Sequence, residues 1–279
     1  MGNFMKPLFS FGPFTLYFFG LMIGIGAIVG LLLAIKEAKR RGLNYSQLTD
    51  GIMYSIIAGI LGARIVYIVI YNPAYYLANP AKILHITEGG LSIHGGILGG
   101  LLFGLWFMKC HKMPIWRTLD LIAPSLILAQ GISRIGCDVF GGPILNGLPW
   151  GIEKNGQLLH PAQAYEFLLD YILFGHLWLR LKKPSYHGQV FLHYLIGFMV
   201  IRGIVEFVRI NPLVVGPLSV SHMMSLIGIF IAAYFMKKRR ASGQITNSET
   251  LSRNEYIKIA LSVIGLILVS LVIYFSVQG

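Results

Sequence analysis

Eight apolar stretches constrain this chain more than any other feature of its sequence. A membrane-spanning helix needs roughly 20 mainly apolar residues, and the sequence provides such stretches at residues 14–35, 51–71, 91–107, 119–135, 161–179, 188–208, 220–236 and 256–277. Hydrophobic residues make up 55% of the chain, charged residues only 12%, and the mean hydropathy is +0.68. Soluble domains carry roughly 25% charged residues. The sequence therefore predicts an all-α polytopic membrane protein with eight spans.

The positive charges predict how these spans are oriented. A net charge of +12 would suggest nucleic acid as a partner in a soluble protein, but here the cations lie in short segments between spans, where they determine topology. One side holds Lys36, Lys39, Arg40, Arg41, Lys109, Lys112, Arg117, Arg180, Lys182, Lys183, Lys237, Lys238, Arg239, Arg240 and Arg253, and the other holds Lys6, Lys82, Lys154 and Arg209. Because cytoplasmic loops hold the excess, both termini are predicted to lie on the non-cytoplasmic side.

A histidine lies within the glycine-rich stretch at residues 89–100. This stretch contains six glycines, and each glycine inside a helix costs up to about 1 kcal/mol relative to alanine. Their presence indicates that the backbone closely approaches another helix or a ligand. An ionisable group such as His94 inside a membrane indicates a functional site unless it is paired or hydrated. A neutral imidazole bonded to a neighbouring helix is equally compatible with the sequence.

Charged residues at or within the predicted spans include Arg64, Arg134, Glu166, Arg202 and Glu206. Asp138 lies just outside one span. Arg202 and Glu206 are four residues apart and share a helical face, and Arg209 follows one turn later. Alone, such a pair fits a structural buried salt bridge. The arginines within the spans outnumber the glutamates, however, and surplus positive charge suits a phosphate, which a planar guanidinium binds through several N–H groups. A lipid head group is the phosphate expected at this depth.

Six short motifs occur in one order along the chain. They are Gly62-Ala63-Arg64, Gly89-Gly90-Leu91-Ser92-Ile93-His94-Gly95-Gly96, Arg134-Ile135-Gly136, Pro149-Trp150-Gly151, His160-Pro161-Ala162-Gln163-Ala164-Tyr165-Glu166 and Arg202-Gly203-Ile204-Val205-Glu206-Phe207-Val208-Arg209. Together they resemble the bacterial prolipoprotein diacylglyceryl transferase family over residues 14–236. The resemblance implies a seven-helix inner-membrane enzyme. Such an enzyme moves diacylglyceryl from phosphatidylglycerol to the lipobox cysteine of a prolipoprotein, forms a thioether and releases glycerol phosphate.

The resemblance also implies roles for individual residues. Arg134 and Arg202 are expected to bind the phosphate and stabilise the leaving group, with Glu206 orienting Arg202. His94 is the candidate general base or head-group ligand, and the sequence does not choose between these roles. The remaining substrate-binding candidates are Gly95, Gly96, Asp138, Gln163, Tyr165 and Glu166, with Arg64 and Arg209 in a second tier, where each alone also fits a structural role.

The loop after Arg134 departs from the family pattern. In the family, Arg-Ile-Gly is followed by Asn-Phe-x-Asn-x-Glu and then an aromatic-glycine pair. Here Cys137 and Asp138 follow directly, and Phe140-Gly141 arrives after a shorter loop. Asp138 then stands where the family has its glutamate, which keeps the charge and shortens its reach.

The eighth apolar stretch is an addition to the family's usual seven helices. We therefore expect a transferase-like membrane domain at residues 1–240, a polar cytoplasmic linker at 241–255 and an extra transmembrane helix at 256–279. That helix is expected to be an anchor or a partner-contact helix. Two alternatives to the transferase are a non-enzymatic lipid-binding or transport protein on the same scaffold and a divergent transferase with another acceptor.

The expected partners and location follow from the resemblance. The partners are phosphatidylglycerol, the lipobox of a prolipoprotein signal peptide and membrane lipid, with no nucleic acid. No cofactor is expected, and the scattered histidines lack the spacing of metal ligands. The expected location is the bacterial cytoplasmic (inner) membrane.

Overall fold

The computed structural model describes residues 6–11, 14–71, 73–85, 89–144, 148–241, 245 and 252–279, and within them the protein is mainly helical. The α-helices are α1 (Phe18–Arg40), α2 (Tyr45–Tyr71), α3 (Pro73–Ala78), α4 (Ile93–Cys110), α5 (Ile115–Ile135), α6 (Ala162–Lys182), α7 (Gln189–Glu206), α8 (Val220–Ala241) and α9 (Arg253–Gln278). A short 3-10 helix covers Pro80–Leu84. The strands are β1 (Pro7–Phe11), β2 (Phe14–Tyr17), β3 (Ile152–Lys154), β4 (Gln157–Leu159), β5 (Leu213–Val215) and β6 (Leu218–Ser219).

The long helices lie where the sequence predicted the spans, so the prediction of an all-α polytopic membrane protein is confirmed. Six of them are long and apolar enough to cross a membrane, namely α1, α2, α4, α7, α8 and α9. The other two, α5 and α6, carry the buried polar residues Asp120, Gln163, Glu166 and Asp170. Passage of α5 and α6 through the membrane therefore stays a prediction.

Local sequence signals explain where several helices begin and end. The Ser92 side chain accepts a hydrogen bond from the Gly95 amide and caps α4. Ser252 and Glu255 form a capping box at the start of α9. Pro161 precedes the first turn of α6, and Gly42, with φ +64°, lies just beyond the end of α1.

Three antiparallel hairpins, which the sequence analysis did not predict, join or precede the helices. They pair β1 with β2, β3 with β4 and β5 with β6. Asn155 and Gly156 connect β3 to β4 with φ angles of 52° and 74°, the positive φ pair that a type I′ turn requires. Each of these sheets has two strands only.

The chain divides into two compact units, a larger unit of residues 1–34 and 119–279 and a smaller unit of residues 35–118. In the larger unit, α6 is largely surrounded by other elements, and Phe167, Tyr171 and Leu177 are fully buried in its core. The core also includes Ile127 of α5 and Tyr274 of α9. The polar residues of α6 are therefore held among packed helices.

The smaller unit is built on close contact between α2 and α4. A Cβ added at Gly62 would lie 2.5 Å from the Gly95 carbonyl oxygen, and one at Gly99 would lie 2.5 Å from the Ala58 carbonyl oxygen. Only glycine permits this approach of two backbones. The prediction that the glycine-rich stretch contacts another helix is confirmed.

The predicted division into residues 1–240, 241–255 and 256–279 stays a prediction. Most of the linker lies outside the described residues, since the structure describes only residues 241, 245 and 252–255 of it. The final segment forms the long helix α9.

Candidate active site

A buried glutamate joins two arginines in the larger unit. Glu166, near the start of α6, is 1% exposed. Its Oε1 lies 3.0 Å from Nη2 of Arg134, the penultimate residue of α5, and its Oε2 lies 3.3 Å from Nη2 of Arg209, which follows α7. The structure thus brings together three candidate residues from three different segments of the chain.

A second ion pair lies on α7. Nη2 of Arg202 is 3.4 Å from Oε2 of Glu206, which confirms the pair predicted from their spacing. Oε1 of Glu206 also accepts hydrogen bonds from the Ser219 hydroxyl at 2.6 Å and from the Asn211 amide at 2.7 Å. These donors fix the carboxylate, and the carboxylate in turn orients Arg202.

The arginines differ in how much of each side chain remains accessible. Arg134 and Arg202 keep 27% and 23% of their side-chain surface exposed, whereas Arg209 keeps 9%. Burial and the nearby charge of Arg202 lower the pKa of Arg209, and Glu166 opposes the shift. Arginine nevertheless stays protonated at neutral pH. Arg134 and Arg202 are therefore the cations that can still meet a ligand, while Arg209 mainly holds Glu166.

The loop after α5 is tied to α6 and α9. Nε2 of Gln163 donates to the Cys137 carbonyl at 3.0 Å, and Nη1 of Arg134 donates to the Cys137 sulfur at 3.5 Å. Oδ1 of Asp138 accepts a hydrogen bond from Nε2 of Gln278 at 2.6 Å. The loop therefore contacts Arg134 through Cys137, and the Asp138 carboxylate contacts α9.

Main-chain contacts hold the rest of the shortened loop. The Gly141 amide donates to the His160 carbonyl at 2.8 Å, and the Gly142 amide donates to the Val208 carbonyl at 2.7 Å. A Cβ at Gly141 would lie 2.5 Å from the Val208 carbonyl oxygen, so glycine is required there. The loop is fastened to the segments that precede α6 and follow α7.

Two aromatic side chains contact the hydroxyl of Tyr165, a predicted site residue. Nε1 of Trp150 donates to the Tyr165 hydroxyl at 2.9 Å, and Nδ1 of His160 lies 3.2 Å from the same oxygen. Trp150 and His160 belong to the sequence motifs but were not among the predicted site residues. Their contacts fix the position of the Tyr165 hydroxyl next to the start of α6.

Three residues near this cluster were missed by the sequence analysis. Tyr274 donates its hydroxyl to Oε1 of Gln163 at 3.1 Å, and Gln278 contacts the loop as described above. Asp170 is 1% exposed, one turn along α6 from Glu166, and neither of its carboxylate oxygens has a hydrogen-bond partner among the described residues. The regular spacing of polar residues on the otherwise apolar α9 could have indicated the first two.

The smaller unit contains the other predicted site residues, and in it Arg64 has a structural environment. Its side chain is buried, and it donates hydrogen bonds to main-chain carbonyls of Ile83, Gly89, Gly90, Lys82 and His85. Nε has one acceptor, and Nη1 and Nη2 have two each, so each of its N–H groups has an acceptor. This geometry favours the structural alternative for Arg64 over substrate binding.

His94 lies in the first turn of α4 with an exposed side chain. Within the part of the chain that the structure describes, its imidazole has no hydrogen bond or ion pair. The expected bond from a neutral imidazole to a neighbouring helix is therefore not seen there. Gly95 and Gly96 follow in the same turn, and Gly95 is buried against Gly62 and Val66 of α2.

The fold and the charged cluster define a polytopic membrane protein with arginines held by buried carboxylates between its helices. A model of the prolipoprotein diacylglyceryl transferase family matches residues 6–238. The chain belongs to the prolipoprotein diacylglyceryl transferase family. The match ends before α9, so the helix that carries Tyr274 and Gln278 lies outside the family region.

Proteins with the name phosphatidylglycerol–prolipoprotein diacylglyceryl transferase are similar along most of their length. The one from Clostridioides difficile (strain 630) is 35% identical over 240 residues, which cover 84% of this chain and 96% of that protein. The one from Bacillus cytotoxicus is 32% identical over 247 residues, covering 84% and 91%. The one from Halalkalibacterium halodurans is 32% identical over 265 residues, covering 88% and 91%.

Proposed function

We propose that this protein transfers the diacylglyceryl group of phosphatidylglycerol to the lipobox cysteine of a prolipoprotein, forming a thioether and releasing glycerol phosphate. Membership of the family and the names of its relatives support this activity. The structural observation that supports this activity is the orientation and exposure of the Arg134 and Arg202 side chains. Each is oriented by a buried glutamate and keeps about a quarter of its side chain exposed (27% and 23%).

The transfer requires one bond to form and one to break. The cysteine thiol, with an ordinary pKa of about 8.5, loses its proton to a base. Its sulfur attacks the carbon of the diacylglyceryl group that is bonded to the phosphate oxygen, and that carbon–oxygen bond breaks. Glycerol phosphate leaves with the bonding electrons, and its oxygens gain negative charge that fixed cations stabilise. Arg134 and Arg202 would supply those cations.

Three other residues of the larger unit act through position in this proposal. Gln163 and Glu166 hold the loop and Arg134, and Arg209 holds Glu166 from its other side. Tyr165 and Asp138 supply a hydroxyl and a carboxylate for the lipid head group or the acceptor. A phosphodiester would accept charge-assisted hydrogen bonds from the arginines, whereas the Asp138 carboxylate would accept one from a hydroxyl of the head group.

In the smaller unit, we propose that His94 is the general base or a ligand of the head group and that Gly96 gives lipid access to the backbone beside it, whereas Gly95 packs against α2. The exposed side chain of His94 within a stretch of few polar residues supports either role. We assign Arg64 a structural role, since main-chain carbonyls already accept from all three of its nitrogens.

We also propose that the protein lies in the bacterial cytoplasmic (inner) membrane with both termini on the non-cytoplasmic side. The asymmetric distribution of Lys and Arg supports this orientation. Residues 1–240 would form the transferase domain, 241–255 a cytoplasmic linker and 256–279 an added transmembrane helix.

The test uses purified protein in vesicles that contain phosphatidylglycerol, together with a synthetic lipobox peptide. We expect glycerol phosphate to be released in step with a peptide mass increased by one diacylglyceryl group. A peptide with serine in place of the cysteine is the matched control and should release none. Lipid binding without either product would contradict the transferase function and favour a lipid-binding protein. Release of glycerol phosphate only with an acceptor other than the lipobox peptide would show that the protein is a transferase with a different acceptor.

A further inference from the structure

Helix α9 carries three buried polar side chains on one face. Ser270, Tyr274 and Gln278 are spaced four residues apart and are 3%, 0% and 3% exposed. Residues four apart on a helix lie above one another on the same side. The opposite side is apolar and exposed, as at Leu268 and Val272. A helix that only anchored the chain in lipid would gain nothing from this polar face, because each buried polar group must find a partner.

Each of these side chains has a partner in the larger unit. The Ser270 hydroxyl lies 2.9 Å from that of Tyr171, in the middle of α6. The other two polar side chains reach the proposed site, where Tyr274 donates to Gln163 and Gln278 donates to Asp138. These three contacts of α9 are intramolecular.

Tyr274 and the Cys137 carbonyl hold the two ends of the Gln163 amide. Because the carbonyl can only accept, the NH₂ group of Gln163 faces it and donates at 3.0 Å, and Oε1 faces Tyr274 and accepts from its hydroxyl at 3.1 Å. At the next residue, Gln278 holds the Asp138 carboxylate at 2.6 Å. Two consecutive residues of the loop beside Arg134 are thus fixed through α9.

We propose that α9 completes the active site, and that Tyr274 and Gln278 are positioning residues that hold the loop at Cys137 and Asp138 beside Arg134. This inference rests on the proposed transferase function for its consequence in catalysis. It assigns a role in the site to a helix that lies beyond residues 6–238, the part that the family model matches. Side chains of α9 hold the short loop that follows α5.

The first test measures the loop without requiring any transfer. Cys137 is buried and Cys110 is exposed, and both are free thiols. In full-length protein carrying Cys110→Ser, the reaction of Cys137 with a small maleimide therefore reports opening of the loop. We expect Tyr274→Phe and Gln278→Ala each to accelerate labelling about tenfold, the size expected when a buried hydrogen bond is removed.

Two control variants separate positioning from simple docking of the helix. Ser270→Ala removes the buried contact of α9 with Tyr171 but touches neither Gln163 nor Asp138. Tyr256→Phe removes a hydroxyl from an exposed tyrosine of the same helix. Both should label Cys137 at the parent rate. Equal acceleration in Ser270→Ala would show that α9 acts only by packing, and no acceleration in Tyr274→Phe and Gln278→Ala would overturn the inference.

The second test measures transfer in variants that change the side-chain lengths of the two residues in the Asp138–Gln278 hydrogen bond. Asp138→Glu lengthens one side chain by a methylene, and Gln278→Asn shortens the other. We expect each single variant to lower kcat about tenfold and the double variant to recover most of it, with little change in KM for the peptide. No loss in the single variants, or no recovery in the pair, would overturn the inference.

The two tests distinguish the inference from the function on which it rests. If the parent protein transfers no diacylglyceryl but the labelling pattern holds, the proposed function is wrong and the structural role of α9 stands. If the parent is active, labelling does not respond to Tyr274→Phe and Gln278→Ala, and kcat does not respond to Asp138→Glu and Gln278→Asn, the function stands and the inference is wrong.

Discussion

The arginines within the helices show that the partners of a side chain, more than its depth in the protein, decide its role. Arg64 is 6% exposed, and its hydrogen bonds to the described residues all go to main-chain carbonyls, so it holds backbone. Arg134 and Arg202 each face one glutamate and retain exposed surface. An ion pair of this kind orients a cation and leaves N–H groups for a ligand.

Replacing Arg134 or Arg202 with alanine should lower transfer by at least about a hundredfold, the usual cost of removing one donor that stabilises a developing charge. Arg134→Lys and Arg202→Lys should restore only part of it, because an ammonium lacks the planar pair of donors. Rates of glycerol phosphate release from phosphatidylglycerol vesicles measure this effect. Full activity in either alanine variant, with normal membrane insertion, would exclude that arginine from phosphate binding.

Arg64→Ala should lower the stability of the folded protein and leave the rate of the transfer reaction unchanged. Its removal takes one donor from each of the carbonyls of Lys82, Ile83 and Gly90, and a hydrogen bond to a charged group contributes about 1.5–3 kcal/mol to stability. We expect a lower unfolding temperature in detergent and an unchanged kcat per folded molecule. A normal unfolding temperature together with a raised KM for lipid would instead place Arg64 in the substrate site.

At the scale of elements, the pairing of α2 with α4 depends on where each glycine faces. A Cβ at Gly99 would lie 2.5 Å from the Ala58 carbonyl oxygen, whereas one at Gly96 would lie 3.6 Å from its nearest neighbour, the Ala63 Cβ. The first position forbids a methyl group unless the helices separate. The second has ordinary van der Waals space for it.

Gly99→Ala should therefore destabilise the protein by about 1–3 kcal/mol, the usual cost of overpacking. Gly96→Ala is the matched change on the same helix, and it should be neutral or stabilising by up to about 1 kcal/mol, because alanine is the better helix former. Denaturant unfolding in mild detergent measures both free energies. An equal loss in the two variants would show that helix propensity, and not the contact with α2, sets the effect.

The elements also show which parts of the fold and site could be predicted. Hydrophobic length predicted the long helices, and the spacing of four predicted the Arg202–Glu206 pair, because both signals are local. Glu166 and Arg209 are 43 residues apart in sequence, and Tyr274 and Gln163 are 111 apart. Such contacts depend on which helices pack together, which periodicity alone does not specify. The short hairpins were missed because strands of two to five residues give weak patterns.

At the scale of the whole molecule, most Lys and Arg residues lie in alternate connections between the predicted spans. In the larger unit, α6 ends in Arg180 and Lys182, and α8 ends in Lys238, Arg239 and Arg240. The hairpin of β3 and β4 precedes α6 and contains a single cation, Lys154. The rule that cytoplasmic segments retain the positive residues then predicts that the end of α6 lies in the cytoplasm and the hairpin outside it.

Single cysteines at these two places test the orientation directly. In protein with Cys110→Ser and Cys137→Ala, Gln157→Cys lies on β4 and Ser185→Cys lies between α6 and α7, and both replaced side chains are exposed. A membrane-impermeant maleimide added to intact spheroplasts should label Gln157→Cys at once and Ser185→Cys only after the membrane is opened. The parent without added cysteine should remain unlabelled in both conditions. The reverse pattern would invert the topology and place the proposed site, next to the start of α6, on the cytoplasmic side, where a prolipoprotein could not meet it after export; labelling of both from outside would mean that α6 does not cross the membrane.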